Sequence, residues 1–329
     1  MSEKIYPVAV IGGGSAGSMA VLRTVLNNDE TLFFPGSGKD KKRSRGFWVA
    51  KVENMPGHQH YKKGIEEPGR DTFKWLSESE FKEKFHWMKN RGITSLVKKD
   101  DGLFELTDSK NEVYLAKHVI VCTGVMDVQP HIGGSIDPIL PYANLQTVDY
   151  CLRCDGHHTL GKKTAIIGNG DGAAWVGIML KERYDNPSMT VISHGNEGEF
   201  SDEVKELMEL HGIDFIDDEI VEVKGIPKEG KLEGFELKNN GHFDCEFAFV
   251  SMGMLVYNEL VKNLGAEVDR RGFVVTNEKG MTNVENLYVA GDLRAGFKKQ
   301  IYTAWDMAVD SADDVNRKIR VEKRASLKK

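Results

Sequence analysis

Cysteine is scarce in this sequence, with four residues among 329. So few cysteines cannot form a disulfide framework for a chain of this length, and a C-x-x-C pair is better explained by catalysis or metal binding. Long apolar runs are also missing, because no stretch approaches the roughly 20 apolar residues of a membrane-spanning helix. The sequence therefore excludes a disulfide-stapled scaffold and predicts no membrane segment.

An excess of positive charge is missing as well. The formal net charge is −6, which gives no support for nucleic-acid binding. Only a few residues precede the first apolar run at residues 8–11, and glycines end that run at once, so no secretory signal is predicted. We expect a cytoplasmic protein that binds neither nucleic acid nor a membrane.

One local pattern occurs twice along the chain. A strand at residues 6–11 precedes glycine-rich residues 12–17 and a helix. The same order recurs at residues 163–167, 168–173 and 174–183. A glycine turn between a strand and a helix is typical of nucleotide-binding α/β domains, and the chain exceeds what one hydrophobic core usually supports. The predicted fold class is α/β, with two doubly wound, Rossmann-like domains.

The second domain is expected to be inserted into the first. A late strand at residues 286–290 ends in a glycine–aspartate turn, which is the turn that a flavin domain needs at its last strand. We therefore predict an FAD-binding domain made of residues 1–126 and 255–329. Residues 127–254 are predicted to form an NAD(P)H-binding-like domain that carries the C-x-x-C pair.

The first glycine turn has the spacing of a dinucleotide-binding fingerprint. Its backbone can approach a pyrophosphate, whose charge then lies at the N-terminus of the following helix. On its own, such a turn also occurs without a ligand. Asp292 adds a second signal, because a carboxylate there can accept hydrogen bonds from the ribityl hydroxyls of a flavin. Together they predict FAD, bound at the turn by Gly12, Gly14, Ser15, Ala16 and Gly17.

Over nearly its whole length the sequence resembles the low-molecular-weight thioredoxin reductases. The motifs that carry this resemblance are residues 12–17, 52–57, 123–124, 151–156, 168–173 and 291–292, with residues 299–300 farther on. The V-E-N-M-P-G and C-L-R-C-D-G stretches are specific, whereas glycine turns are shared with many flavoproteins. The resemblance implies a homodimeric FAD enzyme that reduces a thioredoxin-like protein. It also implies further flavin contacts from Asn54, Thr123, Gly124, Gly291, Asp292, Lys299 and Gln300.

Cys151 and Cys154 form the C-x-x-C pair, whose spacing closes a small ring and so favours cycling between dithiol and disulfide. The alternative is half of a zinc site, which would need about four ligands. Cys122 and Cys245 lie in strand-like runs and make no second pair. The adjacent histidines at residues 157–158 are not expected to reach one metal ion together with the cysteines. We therefore predict a redox role and no metal.

Asp155 directly follows the second cysteine. The resemblance implies that this carboxyl group carries protons to and from a thiolate, and Cys154 beside it is the expected flavin-facing thiol. The thiol oxidases of dithiol natural products are a related possibility. They usually carry histidine after the second cysteine, so Asp155 argues against that activity.

The resemblance fails where NADPH should be recognised. Thioredoxin reductases of this type have arginines after the second strand of the inserted domain, whereas residues 191–199 contain no arginine or lysine and include Glu197 and Glu199. Losing two charge-assisted hydrogen bonds would cost roughly 3–6 kcal/mol. NADH is not favoured either, because Ser193 and His194 replace the expected acid. NAD(P)H use is therefore doubtful, although the second glycine turn leaves nucleotide binding open.

The donor is instead expected to be a protein of the ferredoxin or flavodoxin type, as in atypical members of the family. The basic loop at residues 39–45 could dock such an acidic partner or contact the adenylate phosphates, or it could be a solvated loop without a partner. Trp48, Tyr302 and Trp305 are out of pattern; they could cover the flavin, flank a second flavin or pack in the core. Two other functions stay open: a conventional NADPH-dependent thioredoxin reductase and a non-catalytic flavin redox sensor.

Overall fold

The computed structural model describes residues 4–37, 44–49, 51–296 and 298–328. Two compact units divide these residues: the first takes in those of 1–46, 65–126 and 256–329, and the second those of 47–64 and 127–255. Residues 47–64 thus group with the second unit, whereas the sequence analysis assigned them to the first domain. The reason is visible at Glu53, which pairs with His157 and His158 of the second unit.

The strands of the described residues range in length from two residues to nine. In chain order they are β1 (Ile5–Ile11), β2 (Thr31–Phe34), β3 (Phe85–Trp87), β4 (Ile93–Lys98), β5 (Phe104–Asp108), β6 (Val113–Val121), β7 (Val125–Asp127), β8 (Val148–Asp149), β9 (Thr164–Ile167), β10 (Met189–Ile192), β11 (Ile213–Ile216), β12 (Ile220–Ile226), β13 (Lys231–Leu237), β14 (Gly241–Asp244), β15 (Phe247–Val250), β16 (Met254–Val256) and β17 (Leu287–Val289).

The α-helices are fewer and differ widely in length. They are α1 (Ser15–Leu26), α2 (Glu66–Glu78), α3 (Leu140–Asn144), α4 (Leu152–Asp155), α5 (Gly170–Arg183), α6 (Asp202–Leu210), α7 (Glu259–Lys262) and α8 (Ile301–Ser326). Within the described residues, no helix combines the length and the apolar character that a membrane crossing requires.

The first unit is built on a sheet with the strand order β3-β2-β1-β6-β5-β4, and β17 also pairs with β6. The β1, β2, β3 and β17 pairings are parallel, and β4-β5-β6 is antiparallel. Val8 and Val10 belong to one buried cluster and Ala9 and Ile11 to another, so β1 is covered on both faces, as parallel strands usually are. The α/β class predicted from the sequence is confirmed.

β6 is one continuous strand, Val113–Val121, with a different outer partner along each half. Its first half pairs with β5 and its second half with β17. On its other side β1 pairs with β6 from Leu115 to Val121, across both halves.

The second unit repeats the pattern with a parallel sheet in the order β11-β10-β9-β15-β8. A separate antiparallel sheet, β12-β13-β14, covers one side of this unit's core through Phe235 and Leu237. On the other side, α5 and α6 contribute Ala174, Ile178 and Val204 to a second apolar cluster. In each unit a parallel strand, β1 or β9, ends in a glycine turn, and a helix, α1 or α5, follows that turn.

Candidate flavin and dithiol sites

The first glycine turn is open where a pyrophosphate would lie. Gly12 has φ +110°, and a Cβ there would lie 2.3 Å from the carbonyl oxygen of Cys122; a Cβ on Gly17 would lie 1.8 Å from the oxygen of Gly12. These two glycines are therefore needed for packing of the turn itself. Gly14 differs, because a Cβ there would meet nothing within 4 Å. No side chain caps the N-terminus of α1 among the described residues.

The late strand brings Asp292 to the same unit. A Cβ on Gly291 would lie 2.7 Å from the Cβ of Ala16, so the turn after β17 packs directly on the first turn of α1. Arg45 approaches Asp292, with Nη1 3.7 Å from the carboxylate Oδ2. Of the basic loop at residues 39–45, residues 39–43 lie outside the described residues. Arg45 therefore lies near the carboxylate of Asp292, which is predicted to bind the flavin.

Lys299 and Gln300 lie next to this turn. The ammonium of Lys299 donates hydrogen bonds to the carbonyl oxygens of Asp292 (2.9 Å) and Arg294 (2.5 Å). Burial disfavours its charge and lowers the pKa of Lys299 to about 8. Gln300 begins α8 with a capping box that it forms with Thr303. The first unit thus brings together a glycine turn with open space at Gly14, a carboxylate and polar side chains, which fits FAD.

Thr123 and Gly124 follow β6 in the same unit. The hydroxyl of Thr123 donates a hydrogen bond to the carbonyl oxygen of Tyr257 at 2.7 Å, and the oxygen of Gly124 accepts one from the amide of Tyr257 at 3.2 Å. Gly124 has φ +66°, which favours glycine. Asn54 lies in the other unit, within residues 47–64.

Cys151 and Cys154 form a disulfide at the start of α4, with their Cα atoms 5.2 Å apart. The amides of Cys154 and Asp155 both donate to the carbonyl oxygen of Cys151, so the short helix holds the ring in place. Asp155 is buried, with 3% of its surface exposed. The other two cysteines are buried free thiols. Burial raises the pKa of Cys122 to about 12 and also raises that of Cys245. Those two cysteines are core residues.

Two histidines follow the disulfide in a 3-10 turn, Gly156–Thr159. The Nε2 atoms of His157 and His158 lie 2.8 and 2.9 Å from the same oxygen, Oε2 of Glu53. The Nδ1 atom of His158 lies 2.9 Å from Oδ2 of the buried Asp149. Although burial opposes charge on His158, its bonds to Asp149 and Glu53 raise its pKa to about 9.

Sequence reasoning missed this group. Glu53 precedes Asn54 in the V-E-N-M-P-G stretch but lies 104 residues from His157, and no local pattern joins them. The ligand atoms of Glu53, His157 and His158 lie within 4.8 Å of one another, and so do those of Asp149, Asp155 and His158. Both sets contain donor types that metal ions use, which the prediction of no metal did not consider.

Residues 6–312 match the family model described as pyridine nucleotide-disulphide oxidoreductase. The chain belongs to this family. Thioredoxin reductase from Mycoplasmopsis pulmonis is 29% identical over 322 residues, covering 92% of this chain and 94% of that protein. Thioredoxin reductase from Bacillus subtilis is 27% identical, with 92% and 91% covered. The oxidoreductase is thus a flavoprotein disulfide oxidoreductase of the thioredoxin reductase type, with FAD as its cofactor.

Solved structures agree with the fold of this oxidoreductase. Thioredoxin reductase from Streptococcus pyogenes superposes with a TM-score of 0.80 at 20% identity, covering 97% of this chain and all of that one. The putative thioredoxin reductase from Bacillus anthracis gives the same TM-score at 21% identity. At these identities the likeness shows the fold of two nucleotide-binding domains.

The second glycine turn of the oxidoreductase is covered by its own chain. Asn169 caps α5, where its side chain accepts a hydrogen bond from the amide of Gly170 at 2.7 Å and donates one to the carbonyl oxygen of Asn196 at 2.8 Å. A Cβ on Gly198 would lie 2.9 Å from the nitrogen of Gly170. The loop after β10 therefore packs over the turn where a second pyrophosphate would lie.

The residues after β10 are engaged elsewhere or point to solvent. The hydroxyl of Ser193 donates to Oδ1 of Asp217 at 2.7 Å, and Nδ1 of His194 accepts a hydrogen bond from the amide of Ile220 at 3.1 Å. Glu197 and Glu199 are exposed. This segment offers no cation to a 2′-phosphate.

The aromatic residues that broke the family pattern lie in different surroundings. Trp48 is 2% exposed and packs edge-on against Phe47, with ring centroids 4.8 Å apart. Tyr302 on α8 is 50% exposed, and Trp305 is half-buried. Trp48 is thus a packing residue of the second unit. The idea that Tyr302 or Trp305 covers the flavin stays a prediction.

Proposed function

We propose that this oxidoreductase passes electrons from FAD to the Cys151–Cys154 disulfide and then to a thioredoxin-like protein. The disulfide itself, held at the start of α4 beside the buried Asp155, is the observation that carries the proposal. In this proposal the first unit is the FAD-binding domain, with contacts from those predicted residues that lie in it, and the second carries the dithiol. A homodimer in the cytoplasm completes the proposal.

The reaction requires a change of two electrons and two protons at the sulfur pair. Bound FAD would supply the two electrons. Their arrival breaks the Cys151–Cys154 bond and leaves two sulfurs that each take up a proton. We assign Cys154 to the flavin side and Asp155 to holding the proton that this sulfur gains and loses.

Transfer to the partner then follows thiol–disulfide exchange. The thiolate of Cys151 attacks one sulfur of the partner disulfide and releases the other, which takes a proton. Cys154 attacks Cys151 in the resulting mixed disulfide. The Cys151–Cys154 bond re-forms, and the partner leaves as a dithiol. The electrons gained from FAD are thereby passed on in full.

We further propose that the donor is a one-electron protein of the ferredoxin or flavodoxin class rather than NADPH. The packing of Gly198 against Gly170 and the engagement of Ser193 and His194 support this proposal, because the loop after β10 lies against the second glycine turn and offers no cation to a dinucleotide phosphate. Two successive one-electron transfers supply the pair that the disulfide needs.

The test is reduction of a thioredoxin by the FAD-loaded protein under anaerobic conditions, with reduced ferredoxin, NADPH or NADH as donor. Turnover with ferredoxin and none with the two nucleotides would support the whole proposal. Turnover with NADPH would favour a conventional thioredoxin reductase. Flavin that is reduced by a donor without any thioredoxin reduction would favour the redox sensor.

A further inference from the structure

The group formed by Glu53, His157 and His158 has the geometry of a metal site. Both imidazole Nε2 atoms converge on one carboxylate oxygen, at 2.8 and 2.9 Å. Ligand atoms around a tetrahedral zinc ion, each about 2.0–2.1 Å from the metal, lie about 3.3 Å apart. All three ligand atoms lie within 4.8 Å of one another. Small movements of exposed side chains would bring them to one ion.

Asp149 supports His158 in the way that outer carboxylates support metal-binding histidines. Its buried Oδ2 lies 2.9 Å from Nδ1 of His158, which is a hydrogen-bonding distance. This contact fixes the orientation of the ring, whose Nε2 atom lies beside Glu53. A histidine that binds a metal almost always donates a hydrogen bond from its second ring nitrogen to such a carboxylate or carbonyl group.

Two imidazole nitrogens and one carboxylate oxygen therefore lie close together, and one divalent ion could contact all three at once.

We propose that Glu53, His157 and His158 bind one divalent transition-metal ion, with zinc as the best fit. Imidazole nitrogen suits zinc, whereas magnesium and calcium prefer oxygen ligands. Glu53 and His157 are exposed, so the ion reaches the site from solvent and keeps an open position for water. The ion fastens the segment that carries Glu53 to the turn directly after the disulfide. This site is independent of the donor and of the thioredoxin partner.

The test is isothermal titration calorimetry, in which Zn²⁺ is added to the full-length, FAD-loaded protein without an affinity tag. The protein is kept oxidised, so that Cys151 and Cys154 stay in their disulfide and offer no thiolate. We expect saturable uptake of one zinc ion per chain, and no comparable uptake of Mg²⁺. His157→Ala and Glu53→Gln should each weaken zinc binding by at least about tenfold. Asp149→Asn should weaken it by about 10–100-fold, the usual effect of losing an outer carboxylate.

His242→Ala is the matched control. His242 pairs with Glu236 at 3.0 Å on the surface of the same unit but belongs to no group of three possible metal ligands among the described residues, so this change should leave zinc affinity as in the wild type. Absence of saturable zinc uptake would overturn the proposal, as would a loss of less than about tenfold in either His157→Ala or Glu53→Gln. Unchanged affinity in Asp149→Asn would overturn the role given to Asp149.

Discussion

The side chain of Asn169 donates a hydrogen bond to the carbonyl oxygen of Asn196, 2.8 Å away, and so ties the second glycine turn to the loop after β10. The same side chain accepts a hydrogen bond from the amide of Gly170. That amide is one of the groups that would hold a phosphate at the helix N-terminus. In the first turn a Cβ on Gly13 would lie 2.9 Å from Pro35, whereas a Cβ on Gly14 would meet nothing within 4 Å. Two turns of similar sequence therefore have different surroundings.

One substitution in each turn tests this difference, and only the substitution in the first turn should lower the affinity for FAD. Gly14→Ala should leave the fold intact, because the added methyl group meets no protein atom, but it should crowd the pyrophosphate of FAD. We expect FAD affinity to fall by about tenfold or more, which corresponds to about 1.4 kcal/mol. Equilibrium titration of the apoprotein with FAD measures it.

Gly172→Ala in the second turn is the control, because a Cβ there also meets nothing within 4 Å. It should change neither FAD affinity nor the rate of electron transfer to thioredoxin. FAD affinity unchanged in Gly14→Ala would show that the first turn does not hold the pyrophosphate.

The two redox cysteines should be needed together. Cys151→Ser or Cys154→Ser removes one sulfur of the pair, so the exchange can no longer re-form the disulfide, and thioredoxin reduction should be abolished. FAD content, read from the flavin absorbance, should stay at the wild-type level. Cys245→Ser is a comparison outside the redox pair, although its buried position makes some loss of stability expected. A near wild-type rate in either redox variant would contradict the dithiol mechanism.

Asp218 gives the second unit a pH-dependent stability. Burial opposes its charge, yet hydrogen bonds from the amides of Asn239, Glu219 and Asn240 and from the side chain of Asn240 outweigh burial and lower its pKa to about 2. A carboxylate with a lowered pKa stabilises the folded state above its unfolded pKa of about 3.9, and this contribution is lost as the pH falls towards about 2.

Asp218→Asn should therefore destabilise the protein at pH 7, because it replaces an acceptor by a donor that faces other donors. The difference from wild type in urea midpoint should be equal at pH 7 and at about pH 5, and should shrink below about pH 4. Chemical denaturation of both proteins across this range measures it. A difference that grows on acidification would show that Asp218 is not the group concerned.

Much of this structure could be predicted from local sequence signals. The strand–glycine–helix order placed β1 with α1 and β9 with α5, because apolar runs that end in glycine have few other solutions. The C-x-x-C pair was likewise readable, since its two cysteines are three residues apart. Resemblance to a known family added the flavin contacts at Lys299 and Gln300, which stay predictions.

Long-range contacts could not be predicted in the same way. Glu53 and His158 are in hydrogen-bonding contact although they are 105 residues apart in the sequence, and Asn169 and Asn196 although they are 27 apart. No periodic pattern in the sequence indicates either contact. The continuous strand at residues 113–121 pairs with β1, β5 and β17, and β17 is more than 160 residues away. Local propensity does not record which distant segment covers a given turn.

Stopped-flow absorbance of the flavin band decides whether NADPH is the donor. Oxidised, FAD-loaded protein is mixed anaerobically with a large excess of NADPH and, in parallel, with reduced ferredoxin. We predict that ferredoxin bleaches the flavin at a rate that supports turnover, whereas NADPH bleaches it far more slowly than the about 10 s⁻¹ of a typical enzyme. Bleaching by NADPH at about 10 s⁻¹ or faster, with saturation at micromolar concentration, would contradict the account.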